Sequence, residues 1–158
     1  MAAFEYRQAQ EIRDTFNGRR VRYLFIGKSG AILLGYPDTT QDADLFVEKN
    51  TGNCERLVLA LHDLGFRLNE QQSQEVLRGK DFVQLRNGPF DLDLVFAPDG
   101  IEGFEDAWRR HVEVEGFPVC SIDDIIASKQ ATNRRKDRES LPRMLSFREW
   151  LKLKKRAQ

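Results

Sequence analysis

Residues 21–47, VRYLFIGKSGAILLGYPDTTQDADLFV, restrict the folds open to this chain more than any other stretch. The apolar run Val21–Ile26 ends at Gly27-Lys28-Ser29-Gly30. A second apolar run, Ala31–Leu34, follows, and the turn-rich Gly35–Thr40 leads into Gln41-Asp42-Ala43-Asp44-Leu45-Phe46-Val47. This order predicts strand, glycine-marked turn, helix, loop and strand. Side chains alternate across a strand, so Asp42 and Asp44 point one way while Ala43, Leu45 and Val47 point the other. Two carboxylates held side by side raise each other's pKa unless a cation lies between them. A divalent metal meets that need, and an all-oxygen donor set suits Mg2+ or Mn2+.

A second acidic strand follows later. In Phe90-Asp91-Leu92-Asp93-Leu94-Val95-Phe96 the alternation sets Phe90, Leu92, Leu94 and Phe96 on one face and Asp91, Asp93 and Val95 on the other. If this strand lies beside 42–47 in one sheet, the acids converge on one patch and form a candidate metal site.

The remaining elements frame that pair. Helices are predicted over 4–18, with Asn17-Gly18 as a stop, over 54–64, closed by Gly65, and over 101–110. Residues 66–79 are polar and glutamine-rich, with no decisive period. Phe82–Arg86 reads as a strand, joined to the second acidic strand by the tight turn Asn87-Gly88-Pro89. His111–Val119 reads as a strand or hairpin, and His111, Glu113 and Glu115 read as alternating charge on an exposed face. Ser121-Ile122-Asp123-Asp124 has the form of a capping box opening a helix over 122–131, with Asp124 in the reciprocal position. A last helix is expected over about 137–155, where Pro142 should impose a kink or a fresh start after Ser140.

Length and charge add bounds. The 158 residues, 41% of them hydrophobic, predict one domain with a proper core. Cys54 and Cys120 lie far apart without a CxxC spacing, and the charged amino terminus lacks a secretory apolar stretch, so a reduced, cytoplasmic setting is expected. No apolar run reaches the roughly 18–20 residues that cross a bilayer, so no membrane role is expected. The net charge is zero, yet residues 129–158 hold 11 Lys/Arg against 3 Asp/Glu, and residues 1–128 hold 14 against 22. The basic end is either a solvated helical face or a surface folded back toward a phosphate-bearing partner.

Gly27-Lys28-Ser29 imitates the end of a phosphate-binding P-loop. That motif needs a glycine five positions before Gly27, where Arg22 stands inside a strand, so the P-loop reading fails.

Gly27 at a strand-to-helix turn, Ser29, a dozen residues before Asp42-Ala43-Asp44-Leu45, and Asp93 between Leu92 and Leu94 together resemble the nucleotidyltransferase superfamily of the polymerase-beta type. The closer likeness is to small bacterial nucleotidyltransferase-like proteins, including those of abortive-infection and toxin–antitoxin systems. It rests on Thr40 before the acidic pair and on Ile122-Asp123-Asp124-Ile125-Ile126-Ala127-Ser128-Lys129 followed by Arg135 and Asp137. The resemblance implies an α/β (α+β) nucleotidyltransferase-like fold: a small mixed sheet, flanking helices and a basic helical C-terminal segment over about 121–158. It further implies that Asp42, Asp44 and Asp93 hold Mg2+ or Mn2+, with Asp93 preferred to Asp91 because the family's third acid sits between apolar residues. Gly27, Lys28, Ser29, Thr40 and Lys129 would bind a nucleoside triphosphate. The implied reaction moves a nucleoside monophosphate onto a hydroxyl of RNA, protein or a small molecule, such as an antibiotic. The alternative is a catalytically silent module that binds a partner protein from the same operon. The chain departs from the family at Lys28, where a small residue usually follows the first glycine.

Overall fold

The computed structural model describes residues 3–157. Its centre is one mixed six-stranded sheet of β1 (Tyr23–Phe25), β2 (Asp42–Val47), β3 (Phe82–Leu85), β4 (Asp91–Val95), β5 (Val112–Val114) and β6 (Phe117–Val119), in the order β3-β4-β2-β1-β6-β5. β2 runs antiparallel to β1 and parallel to β4, β1 runs parallel to β6, and the edge strands β3 and β5 are antiparallel to their neighbours. All three residues of β1 are buried, as its uninterrupted apolar sequence requires of a strand covered on both faces. Tyr23 stacks edge-on against Phe16 and Phe25, and Phe25 against Phe117, so aromatic contacts tie β1 to the first helix and to β6.

Among the described residues, seven helices flank the sheet. α1 (Tyr6–Gly18) buries Ala9, Ile12 and Phe16 on one stripe, and α2 (Gly27–Leu33) follows β1 directly and lies against β2. α3 (Thr51–Leu64) starts at Asn50, whose side chain accepts the Asn53 N–H, and stops at Gly65 with φ +102°. α4 (Glu70–Arg78) fills the stretch whose period was undecided. It carries a reciprocal Asn69–Gln72 capping box, ends on the left-handed Gly79, and buries Val76. α5 (Phe104–Arg110) precedes β5. α6 (Ile122–Thr132) packs against α2 and against α7 (Arg135–Arg156).

One expectation for the C-terminal part needs correction, and one of the two outcomes expected at Pro142 is excluded. Ser121 caps α6 by accepting the Asp124 N–H, but the Asp124 carboxylate turns to Arg110 Nε at 2.9 Å and does not close a box. α7 has no fresh start at Ser140. It runs through Pro142, which forgoes only one backbone hydrogen bond, while the buried Met144 and Phe147 hold the helix against the body. Both cysteines are buried and free, and no helix among the described residues is long and apolar enough to cross a membrane.

Asn53 joins three segments at the end of the sheet. Fully buried, it accepts the Arg22 N–H at 2.8 Å through Oδ1 and donates through Nδ2 to the carbonyls of Arg22 and Glu48. Removing it strands buried backbone groups, so Asn53→Ala should lower the unfolding free energy by roughly 2–4 kcal/mol in urea titration. A change under about 0.5 kcal/mol would show that water replaces these bonds.

A three-aspartate cleft as candidate active site

The parallel pairing of β2 with β4 builds the site. Its register sets Asp42 opposite Asp91 and Asp44 opposite Asp93, so all four acids share one face of the sheet. One carboxylate oxygen from each of Asp42, Asp44 and Asp93 lies within 4.8 Å of the others. Asp91 shares the face but does not join this cluster.

The cluster is electrostatically loaded. Burial and then the negative charges of Asp93 and Asp42 drive the Asp44 pKa well above the usual carboxylate range. Burial also raises that of Asp93, against the opposing pull of the Arg86 guanidinium. Asp93 Oδ1 is buried without an aligned hydrogen bond, although Arg86 Nη2 approaches to 2.7 Å. Hard oxygen donors that close together, one of them unsatisfied, fit a divalent cation.

Gly27 makes the approach of α2 possible. Its φ is +64°, and a Cβ there would stand 2.5 Å from Asp44 Oδ2. Ser29 is spent on structure: its buried hydroxyl donates to the Ile26 carbonyl at 3.1 Å and accepts the Asp44 N–H at 3.0 Å. It pins β2 to α2 and leaves no free hydroxyl hydrogen for a phosphate. Lys28 reaches Asp38 with its Nζ at 3.2 Å, and the Thr40 hydroxyl donates to the Asp42 carbonyl at 3.2 Å.

A cavity of about 820 Å³ contains the three acids together with Gly27, Lys28, Thr40 and Lys129. Of the eight residues singled out in the sequence, only Ser29 is absent from its lining. Lys129 of α6, Arg134 at the N-cap of α7 and Lys136 of α7 line the same cavity and bring positive charge to it. The basic C-terminal segment thus divides, because Lys152, Lys154, Lys155 and Arg156 lie on exposed helical turns. His111 contacts the Trp108 carbonyl and stacks on its ring, and with Glu113 and Glu115 it forms no metal cluster among the described residues.

Two further residues stand at the candidate site. Arg86 directly follows β3 and touches both Asp93 and, at 3.4 Å, Asp42. The hairpin register carried that signal, since the residue after Leu85 falls beside Asp91. Asp137 was recognised as part of a motif, but its role was not. Buried at 1% exposure, it binds Lys129 at 3.3 Å, Arg134 at 2.8 Å and the Thr132 hydroxyl at 2.8 Å, fixing the basic wall.

No protein-family model and no curated protein matches the sequence. Two solved structures share the fold. The lincosamide antibiotic adenylyltransferase LnuA, solved with lincomycin bound, superposes with a TM-score of 0.65 at 14% identity, over 92% of this chain and 99% of that one. A proposed nucleotidyltransferase from Thermotoga maritima gives 0.56 at 16% identity, over 90% and 92%. The chain therefore has the nucleotidyltransferase fold.

Asp137 supplies a pH-dependent prediction. Burial alone would raise its pKa, but the bonds from Arg134 and Thr132 and the charge of Lys129 outweigh it and hold the carboxyl at about 2. A depressed folded value stabilises the protein above the unfolded value near 3.8 and loses that stabilisation as pH falls through 2. Asp137→Asn should cost about 2 kcal/mol at pH 7, and the gap to wild type should shrink between about pH 4 and 2. Denaturant melts across that range check it.

Proposed function

We propose that this protein is a divalent-metal-dependent nucleotidyltransferase, moving a nucleoside monophosphate from a nucleoside triphosphate to a hydroxyl acceptor. The observation that carries the reading is the convergence of Asp42, Asp44 and Asp93 in a cleft that Lys129, Arg134 and Lys136 also line. Asp42, Asp44 and Asp93 would hold Mg2+ or Mn2+, which neutralises phosphate charge and lowers the pKa of an attacking hydroxyl. Lys129, Arg134 and Lys136 attract and orient the triphosphate, and their charge favours departure of pyrophosphate. Asp137 keeps Lys129 and Arg134 in place. Gly27 leaves room for the Asp44 carboxylate, and Lys28, paired with Asp38, adds a further cation for the phosphates.

Among the acceptor classes, LnuA by name acts on lincosamides, and a small hydroxylated acceptor of that kind is the first to test here. The buried free thiols of Cys54 and Cys120 suit a reducing compartment and support the reading of a cytoplasmic enzyme.

The assay incubates each α-labelled nucleoside triphosphate with Mg2+ or Mn2+ and either lincomycin or a short RNA with a free 3′ hydroxyl. Label should pass to one acceptor with release of pyrophosphate, and Asp44→Asn should reduce the rate by more than about a hundredfold. Equal incorporation by wild type and Asp44→Asn contradicts the proposal.

A further inference from the structure

The cleft already contains a cation of its own. Arg86 Nη2 stands 2.7 Å from Asp93 Oδ1 and 3.4 Å from Asp42 Oδ2, bridging carboxylates of two different strands. Those are two of the three acids whose oxygens form the candidate metal cluster. The guanidinium therefore sits against the donor oxygens a divalent ion would use.

The contact is built to be exchanged. The Arg86 side chain is 41% exposed and leaves the sheet at the end of an edge strand, so it has a path into solvent. Its approach to the buried Asp93 Oδ1 is close but not aligned as a hydrogen bond. A monovalent, planar group serves three crowded carboxylates poorly compared with a compact divalent ion, which meets several oxygens at once. Among the described residues no other Lys or Arg pairs with Asp42 or Asp93: Lys28 is engaged by Asp38, and Lys129 by Asp137.

We propose that Arg86 is an internal counter-ion that competes with the divalent metal for Asp93 and Asp42, so that metal loading requires its release. The inference rests on the reading of the three acids as a metal site, but not on nucleotidyl transfer. Its consequence is a coupling between metal and nucleotide. A free ion must displace Arg86 using protein oxygens alone and binds weakly. An ion delivered on a triphosphate brings additional oxygen ligands, and the phosphates offer the freed guanidinium a new partner.

The test is Mn2+ titration calorimetry on the full chain without nucleotide, comparing wild type with Arg86→Gln. The variant should bind Mn2+ at least about tenfold more tightly, since an opposing unit charge has left the site. Metal-free Arg86→Gln should also melt below wild type, with Mn2+ narrowing the difference. A second readout uses wild type alone: on addition of Mg2+, the Arg86 Nε–Hε NMR signal, assigned by its absence in Arg86→Lys, should move to the position of a solvent-exposed arginine. Equal or weaker Mn2+ binding by Arg86→Gln, or an Arg86 signal unmoved by saturating Mg2+, overturns the proposal, as does failure of both proteins to bind Mn2+. If Mn2+ affinity responds to Arg86 while no nucleotide is transferred, the counter-ion role stands and the transferase reading falls.

Discussion

The pairing of β2 with β4 places carboxylates where electrostatics disfavours them, and the rest of the cleft answers that placement. Asp42, Asp44 and Asp93 cannot all ionise comfortably so close together, which is why the Asp44 pKa rises and why a guanidinium leans in from the neighbouring strand. The apolar residues between the acids hold the arrangement. Ala43, Leu45, Leu92 and Leu94 are fully buried, so a one-residue slip that dispersed the acids would expose this set to water.

A second layer of restraint surrounds the cluster. Ser29 bridges the Ile26 carbonyl and the Asp44 N–H, fixing the acidic strand against the first turn of α2. Gly27 allows that turn to approach without a side chain in the way. At the cleft's C-terminal helices, the buried Asp137 gathers Lys129, Arg134 and Thr132 into one network linking α6 to α7. The charge separation along the sequence thereby becomes a spatial one, with acids on the sheet and bases on the C-terminal helices, and a space between them suited to an anion carried by a metal.

Much of this was legible in the residues, for physical reasons. Strand alternation has a period of two, so the spacing alone assigns both acidic pairs to a face. Gly27 and Gly65 marked real turns, and the Leu57–Leu61 stripe marked a real helix. What escaped notice depended on contacts between distant segments. Arg86 meets the acids only through the strand beside it, the Ser29 hydroxyl bonds backbone groups of Ile26 and the distant Asp44, and Asp124 is drawn away to Arg110. α4 was obscure because Val76 is its one buried residue, too thin a stripe to announce a period, although Asn69 and Gln72 were a capping signal. At Pro142 one missing hydrogen bond does not end the helix, since the buried Met144 and Phe147 pack the turns beyond it.

The most direct test of the central claim is anomalous diffraction from crystals grown with Mn2+ and a non-hydrolysable nucleoside triphosphate. The account predicts a manganese peak bounded by carboxylate oxygens of Asp42, Asp44 and Asp93 at roughly 2.0–2.4 Å, with the triphosphate running from it toward Lys129 and Arg134. Ordered nucleotide elsewhere on the surface, or a cleft where Arg86 still bridges Asp42 and Asp93 with no metal peak, would contradict it.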